Sequence, residues 1–463
     1  MRTHRPALWW SDPALTLPVI AVPVALVTYL LPPAIFAQQW GAPKYFDGWY
    51  LTCYLACVFS FCIACGFARL VASRSAVFPD RDWRDAVQWD LLLRVFDVTA
   101  ILCCAAYAAW WASAIARGAR LDLVLAILSG SKGAADLMKD VYMVTIPGVT
   151  TMTQFGIVTM LLGCLGATRF PLRRILPGMA AVMGLALVRA VLNSERLALI
   201  ELVLPTVVLA CHVLGPRLNR FWWFGPKVLS AAPVAGVVAV FCLFSGFEYF
   251  RSWVSYFAGK GDSFLTFAFA RFSGYYATSL NNGAFLADRL SPLDVPFFSL
   301  PVIWKFPVLK QITADAFPSF SLLRENSVLD VFARGANPEF NNGCGILLPY
   351  VDLGLAGAML YWAALGLAAG AAYSSFLRMR LPGLLSYPIL FIGIVEAPRI
   401  IYTTEGRAFP AWAAVLLLLI ASKALDWRHG RSAGFAPSAV TASPVSARQF
   451  SGPQMVNQVG RRI

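Results

Sequence analysis

The chain has 463 residues, 59% of them hydrophobic and 13% charged, with a mean hydropathy of +0.65. Soluble globular chains carry about 25% charged residues, so a single soluble core of this composition would have no polar surface left to present to water. The formal net charge of +14 raises nucleic acid as a partner. The cations, however, are scattered through short connections between apolar runs and form no patch or stripe, which argues against that class.

Taken in chain order, apolar runs long enough to cross a bilayer predict about ten spanning helices. They lie at 15–36, 48–72, 92–116, 148–168, 175–193, 197–214, 229–247, 346–376, 383–402 and 408–425. The basic start before the first run precedes a long, Pro-rich apolar stretch and reads as a retained first helix. The second run carries Cys62 and Cys65, a CxxC on a spanning helix, which reads as small apolar packing and not as a redox or metal motif. The segment 121–147 is amphipathic and outside the spans. Counted over short connections, one side of the membrane holds about eighteen cations and the other about eight, which places both termini in the cytoplasm. The seventh and eighth helices are then joined by one long extracytoplasmic loop, 247–345, whose apolar stretches 264–272 and 296–308 read as short interfacial or re-entrant pieces. Residues 1–427 form one transmembrane domain, and 428–463, rich in Arg, Ser, Ala and Pro, read as a disordered cytoplasmic tail. The fold class is all-α, a polytopic membrane helix bundle.

Ionisable groups in or beside spans are costly and mark functional candidates. Here they gather on the extracytoplasmic side. The fifth and sixth helices meet at Arg189, Asn193, Glu195, Arg196 and Glu201. Arg189 and Arg196 stand about two helical turns apart and could face one anion, or the acids and Arg196 could simply pair and close a tight hairpin. The seventh helix ends in Glu248, and the long loop supplies Arg271 and Tyr275. Asn341, Asp352, Gly354 and Gly357 stand where the eighth helix begins, the glycines permitting close approach of a neighbour or ligand. Glu396, Pro398, Arg399 and Arg407 end the ninth. Asp352 also fits a buried structural hydrogen bond, and Arg399 and Arg407 also fit snorkelling to head groups. Guanidinium forks hold phosphate, carboxylates accept protons from sugar hydroxyls, and aromatic faces stack on sugar rings. Such parts suit a lipid diphosphate whose tail stays in the bilayer. No GxxxxGK[ST] loop is present, only three His occur, and the first outer loop has no DxD pair, so no nucleotide-driven, zinc or DxD-metal chemistry is expected.

Four stretches resemble bacterial oligosaccharide repeat-unit polymerases of the Wzy type. They are the stretch from Ile146 to Gln154, that from Arg189 to Glu201, that from Arg271 to Asn281, and Asn337 to Asn341 together with Tyr350 to Gly354 and the Gly-rich helix after them. The likeness runs from about Gly148 to Arg407, and the long late loop is also typical of the related O-antigen ligases. It implies a GT-C-like bundle in the bacterial inner membrane with its active site facing the periplasm. Donor and acceptor would be undecaprenyl-diphosphate-linked oligosaccharides, the product O-antigen, capsule or exopolysaccharide, and no cofactor or metal would be needed. Membrane lipid is a further partner, and a chain-length regulator of the export system is left open. In this reading Arg189, Arg196, Arg271, Arg399 and Arg407, with Tyr275 and Asn341, bind the substrate and its diphosphate. The base of an inverting displacement is Asp352, Glu396 or Glu195. The alternatives are an O-antigen ligase, or a flippase or transporter for the lipid-linked oligosaccharide. The transporter is disfavoured because the charge sits at one face and the inner half of the spans is apolar.

Overall fold

The structure, a computed structural model, describes residues 8–74, 88–193, 195–218, 226–259, 263–305 and 325–434. All regular elements among them are helical. That follows from the solvent: in hydrocarbon every backbone N–H and C=O must be satisfied within its own segment, which a helix does. Among the described residues, eight helices are long and apolar enough to cross a membrane. They are Pro13–Leu30 (α1), Gly48–Arg74 (α3), Trp89–Ala116 (α4), the span Val149–Gly166 (its main helix, Phe155–Gly166, is α6), Leu172–Leu192 (α7), Leu197–Leu218 (α8), Pro226–Glu248 (α9) and Leu348–Leu377 (α12). Two shorter apolar stretches follow, the helix Leu381–Glu396 (α13) and Phe409–Leu425, which opens the helix Phe409–Gly434 (α14). Between the spans lie Pro33–Trp40 (α2), Leu121–Leu128 (α5), Phe264–Leu290 (α10) and Glu325–Gly335 (α11).

Local chemistry sets the boundaries. Asp12 caps α1 by accepting from the Ala14 amide at 3.1 Å, and its other oxygen takes Arg69 of α3 at 2.6 Å. The predicted first helix, 15–36, breaks at Pro32 and resumes as α2, which ends on left-handed Gly41. The predicted 383–402 helix ends at Glu396, just before Pro398. The last helix runs to Gly434, beyond residue 427, where the sequence reading ends the membrane domain. The rest of the predicted tail, 435–463, and the basic connections 75–87 and 219–225 lie outside the described residues. Met1–Ser422 and Lys423–Ile463 separate as two compact units.

Packing in the first unit uses small residues. Gly366 and Gly370 of α12 lie against the Phe61 and Cys65 carbonyls of α3, so a β-carbon at either would strike backbone. This is the small-xxx-small contact by which helices associate in lipid, where no hydrophobic effect drives them together. The CxxC serves packing on two sides of α3: the Cys65 carbonyl faces Gly370 of α12, and the Cys62 thiol lies 3.5 Å from the Ala14 carbonyl of α1. The most enclosed span is Val149–Gly166, 72% buried, and the most peripheral is Val228–Glu248, 11% buried.

Two features differ from the sequence reading. The stretch 264–272 is not a short re-entrant piece; it opens the 27-residue helix α10. Its C-terminal half is almost wholly buried, through Thr278, Ser279, Asn281 and Asn282 as well as apolar residues. Gly354 is needed for a backbone kink with φ 65° and not for close approach, since a β-carbon there would meet open space. Gly357 faces only Leu353 of its own helix.

Candidate functional site

The α7–α8 junction carries the first arginine. Arg189 stands in the last turn of α7, where a cation complements the helix dipole, and the chain reverses within a few residues to start α8. Arg189 is buried and donates from Nε and Nη2 to Glu195 Oε2, at 2.9 and 2.7 Å, and from Nη1 to Thr153 Oγ1 at 3.1 Å. Thr153 sits where the predicted 148–168 helix is interrupted, between a turn at Val149–Met152 and α6. The Trp110 ring covers the guanidinium at 5.1 Å. Glu195 Oε1 accepts from Arg407 Nη2 at 3.0 Å, and Arg407 Nε lies 2.7 Å from Glu201 Oε1. Two arginines thus alternate with two glutamates. Glu201 is 1% exposed, and an unpaired charge there would be prohibitive. Burial works to raise the Glu195 carboxyl, but Arg189 and Arg407 override it and hold the group below the usual carboxylate range.

The second network joins α8, α9, α10 and the segment before α12. Arg196 pairs with Glu248, the last residue of α9, which is completely buried. Arg271 of α10 reaches the other Glu248 oxygen at 3.5 Å and pairs outward with Glu339. Aromatic rings line the guanidinium groups. Arg196 lies 3.9 Å from the Phe244 ring centre and 5.4 Å from Tyr275, and Arg271 lies 4.8 Å from Phe340. Tyr275 packs edge-on between Phe244 and Phe340, at 5.4 and 5.2 Å.

The third is local. Arg399 donates to Glu396 Oε2 from Nε at 2.8 Å, with Nη2 at 2.7 Å, so both contacts fall on one oxygen. The surrounding backbone is fixed by Ser279, whose hydroxyl donates to the Arg399 carbonyl at 2.9 Å and accepts from the Cys344 amide at 3.1 Å. Gly345 packs directly on Ile400, leaving no room for a β-carbon. Tyr276 of α10 lies beside this pair, its hydroxyl pushed up to about 12 by burial and then by Glu396. Tyr402 stands within electrostatic reach of Glu201, Arg407 and Glu396, and Tyr275 of Arg399, so the three networks adjoin.

All five predicted arginines are therefore brought together, yet each is already paired with a glutamate. Arg189 and Arg196 do not face one anion; they belong to separate networks. Glu195 and Glu396 sit among the arginines, and Tyr275 lies between the second and third networks. Asn341 is exposed in the irregular segment that follows Phe340. Asp352 stands apart from the arginines. It is buried, and its carboxylate accepts from the Phe298 amide at 3.0 Å and from both the amide and hydroxyl of Ser299 at 2.6 Å. The Ser299 carbonyl in turn accepts from Thr404 at 2.6 Å, so Asp352 braces the turn that separates Arg399 from Arg407. Sequence reasoning named Glu201 and Glu248 among the extracytoplasmic charges without giving either a role, and did not single out Glu339, although it lies in one of the family-like stretches.

An apolar cavity of about 400 Å³ opens between α5, the end of α7 and the end of α9. Ile127, Leu128, Val191, Leu243, Phe247 and Phe250 line most of it, together with the polar Ser131 and Asp136. Phe247 immediately precedes Glu248, so one edge of this hollow and the second network share the same helix end. Comparison with protein-family models, with characterised proteins and with solved structures finds no match.

Proposed function

We propose that this protein polymerises lipid-linked oligosaccharide repeat units at the periplasmic face of the bacterial inner membrane. The growing glycan passes from undecaprenyl diphosphate to a new lipid-linked unit. The observation that carries this reading is the convergence of five arginines, three of them backed by aromatic rings, beside the ends of helices rich in apolar residues. The apolar cavity beside the second network suits the hydrocarbon of a lipid.

In the reaction the bond from the sugar anomeric carbon to the diphosphate oxygen breaks, and a bond to the acceptor hydroxyl oxygen forms. The diphosphate leaves with the bonding electrons, and guanidinium groups stabilise the charge that develops on it. The acceptor proton goes to a carboxylate. Of the three candidates, Glu396 is best suited, because Arg399 occupies only its Oε2. Both Glu195 oxygens carry arginine contacts, and both Asp352 oxygens hold residues 298–299 in place.

The test is a strain lacking the gene, complemented with wild type, Glu396→Gln and Arg196→Ala, with lipid-linked and surface glycans run on a gel. A ladder restored by wild type, and reduced to single repeat units in both variants, is the expected result. Long polymer left on the carrier lipid in the deletion strain would make the protein a ligase. Repeat units trapped on the cytoplasmic side would make it a flippase. Either outcome overturns the proposal.

A further inference from the structure

The five glutamates that neutralise the arginines are not equivalent. Glu248 and Glu201 have side chains 0% and 1% exposed, Glu396 6%, Glu195 30% and Glu339 55%. Only Glu339 pairs from the solvent side. Its partner is the opposite case: the Arg271 side chain is 12% exposed, flanked by Phe340 and backed by the buried Glu248.

The backbone around Glu339 is pinned. Asn337 donates its side-chain amide to the Trp40 carbonyl at 2.8 Å and accepts from the Glu339 amide at 2.9 Å. Asn282 donates to the Phe340 carbonyl at 2.6 Å. The carboxylate can therefore leave Arg271 by a change of side-chain rotamer, with no backbone movement, and it is already largely hydrated. Glu248 cannot leave without stranding a buried charge, which costs several kcal/mol.

We propose that Arg271 is an anion-exchange point: a phosphate group of the ligand takes the position of the Glu339 carboxylate, which the chain holds there when the site is empty. Glu248 remains as the permanent counter-ion between Arg196 and Arg271. The quartet is neutral at rest, with two arginines and two glutamates. When Glu339 swings out, Arg196 and Arg271 carry one net positive charge toward the phosphate. Glu339 then sets affinity: a diphosphate offers more charge than one carboxylate and can engage a guanidinium with two oxygens, whereas a singly charged anion gains little by the exchange. The identity of the phosphate carrier rests on the function proposed above, but the exchange itself does not require glycan transfer.

The experiment measures binding of inorganic pyrophosphate to the purified full-length protein in lipid nanodiscs at fixed salt. Glu339→Gln is expected to bind about two- to fivefold more tightly than wild type, the span expected for removing one exposed competing carboxylate. Glu339→Asp keeps the charge and should stay near wild type. Arg271→Gln combined with Glu339→Gln should lose the gain, with the thermal midpoint confirming that this variant is folded. Asp288→Asn removes an equally exposed acid elsewhere and should change nothing. Unchanged or weaker binding by a folded Glu339→Gln overturns the proposal, as does an equal gain in Asp288→Asn, which would reflect only the general field. Undecaprenyl diphosphate should displace pyrophosphate where phosphatidylglycerol at the same mole fraction does not; the reverse would make this a phospholipid anchor and overturn the assignment. A gain in Glu339→Gln without any polymer defect in the deletion strain would leave the exchange standing and remove the polymerase reading.

Discussion

At the scale of single residues, the ion pairs divide by burial. Arg189 and Glu201 are buried, so removing one partner leaves an uncompensated charge. Arg189→Ala should destabilise the protein by about 3–5 kcal/mol, read as a fall in the thermal midpoint in detergent. A midpoint within error of wild type would mean that water reaches Glu195 and Thr153. Glu195 gives a pH dependence with a defined sign. Its folded carboxyl is held below the ordinary value of 4.5, so in that range the unfolded chain binds more protons and stability rises with pH. The contribution is complete above 4.5 and is lost as pH falls below it. Acid unfolding of Glu195→Gln should therefore show a shallower slope below pH 4.5 than wild type, and identical slopes would exclude the Arg189–Glu195–Arg407 bridge as the source. The residue types at the site were legible in the sequence because charge in a hydrophobic chain stands out. Their pairing was not: Arg189 and Arg196 are close in sequence, but the helix reversal at 193–196 sends one toward Thr153 and Glu195 and the other toward Glu248.

At the scale of elements, hydropathy located the helices whose buried faces are apolar and undersold the one whose buried face is polar. Helix α10 buries Thr278, Ser279, Asn281 and Asn282; Thr278 bonds back to the Gly274 carbonyl of its own helix at 2.5 Å, and the other three are satisfied by partners far away in sequence. Asn281 accepts from the Tyr45 and Phe46 amides at 2.5 and 3.1 Å and donates to the Pro43 carbonyl at 2.8 Å, while Asn282 serves the carbonyls of Phe340 and Asn342. No periodicity rule reports such bonds, since each needs a partner brought up by the fold. Helix α12 carries glycines with different jobs, and substitution separates them. Gly354→Ala should cost about 1–3 kcal/mol, because only the backbone conformation, φ 65° with ψ −173°, is penalised. Gly370→Val should cost more and reduce folded yield, because the side chain would be driven into the Cys65 carbonyl of α3. Equal losses for the two would contradict the seam described between α3 and α12.

At the scale of the whole molecule, the cation asymmetry predicts a topology that labelling can check. A cysteine at Asp288, exposed near the end of α10, should react with a membrane-impermeant maleimide in cells whose outer membrane is permeabilised, above the wild-type background. A cysteine at Arg74, exposed at the end of α3, should react only after lysis. The opposite pattern would invert the chain and put the arginine networks in the cytoplasm. The sequence by itself determined that the described regular elements are helices, several of them able to cross a membrane, and that arginines and acids crowd near their ends. Both follow from transfer energetics, which depend on local composition alone. Only the tertiary structure decided which acid meets which arginine, that Asp352 braces a turn instead of joining them, and that Glu339 is the one exposed partner in the set. Those depend on helix reversals, kinks and close glycine contacts, which bring distant residues within the few ångströms over which a hydrogen bond or ion pair acts.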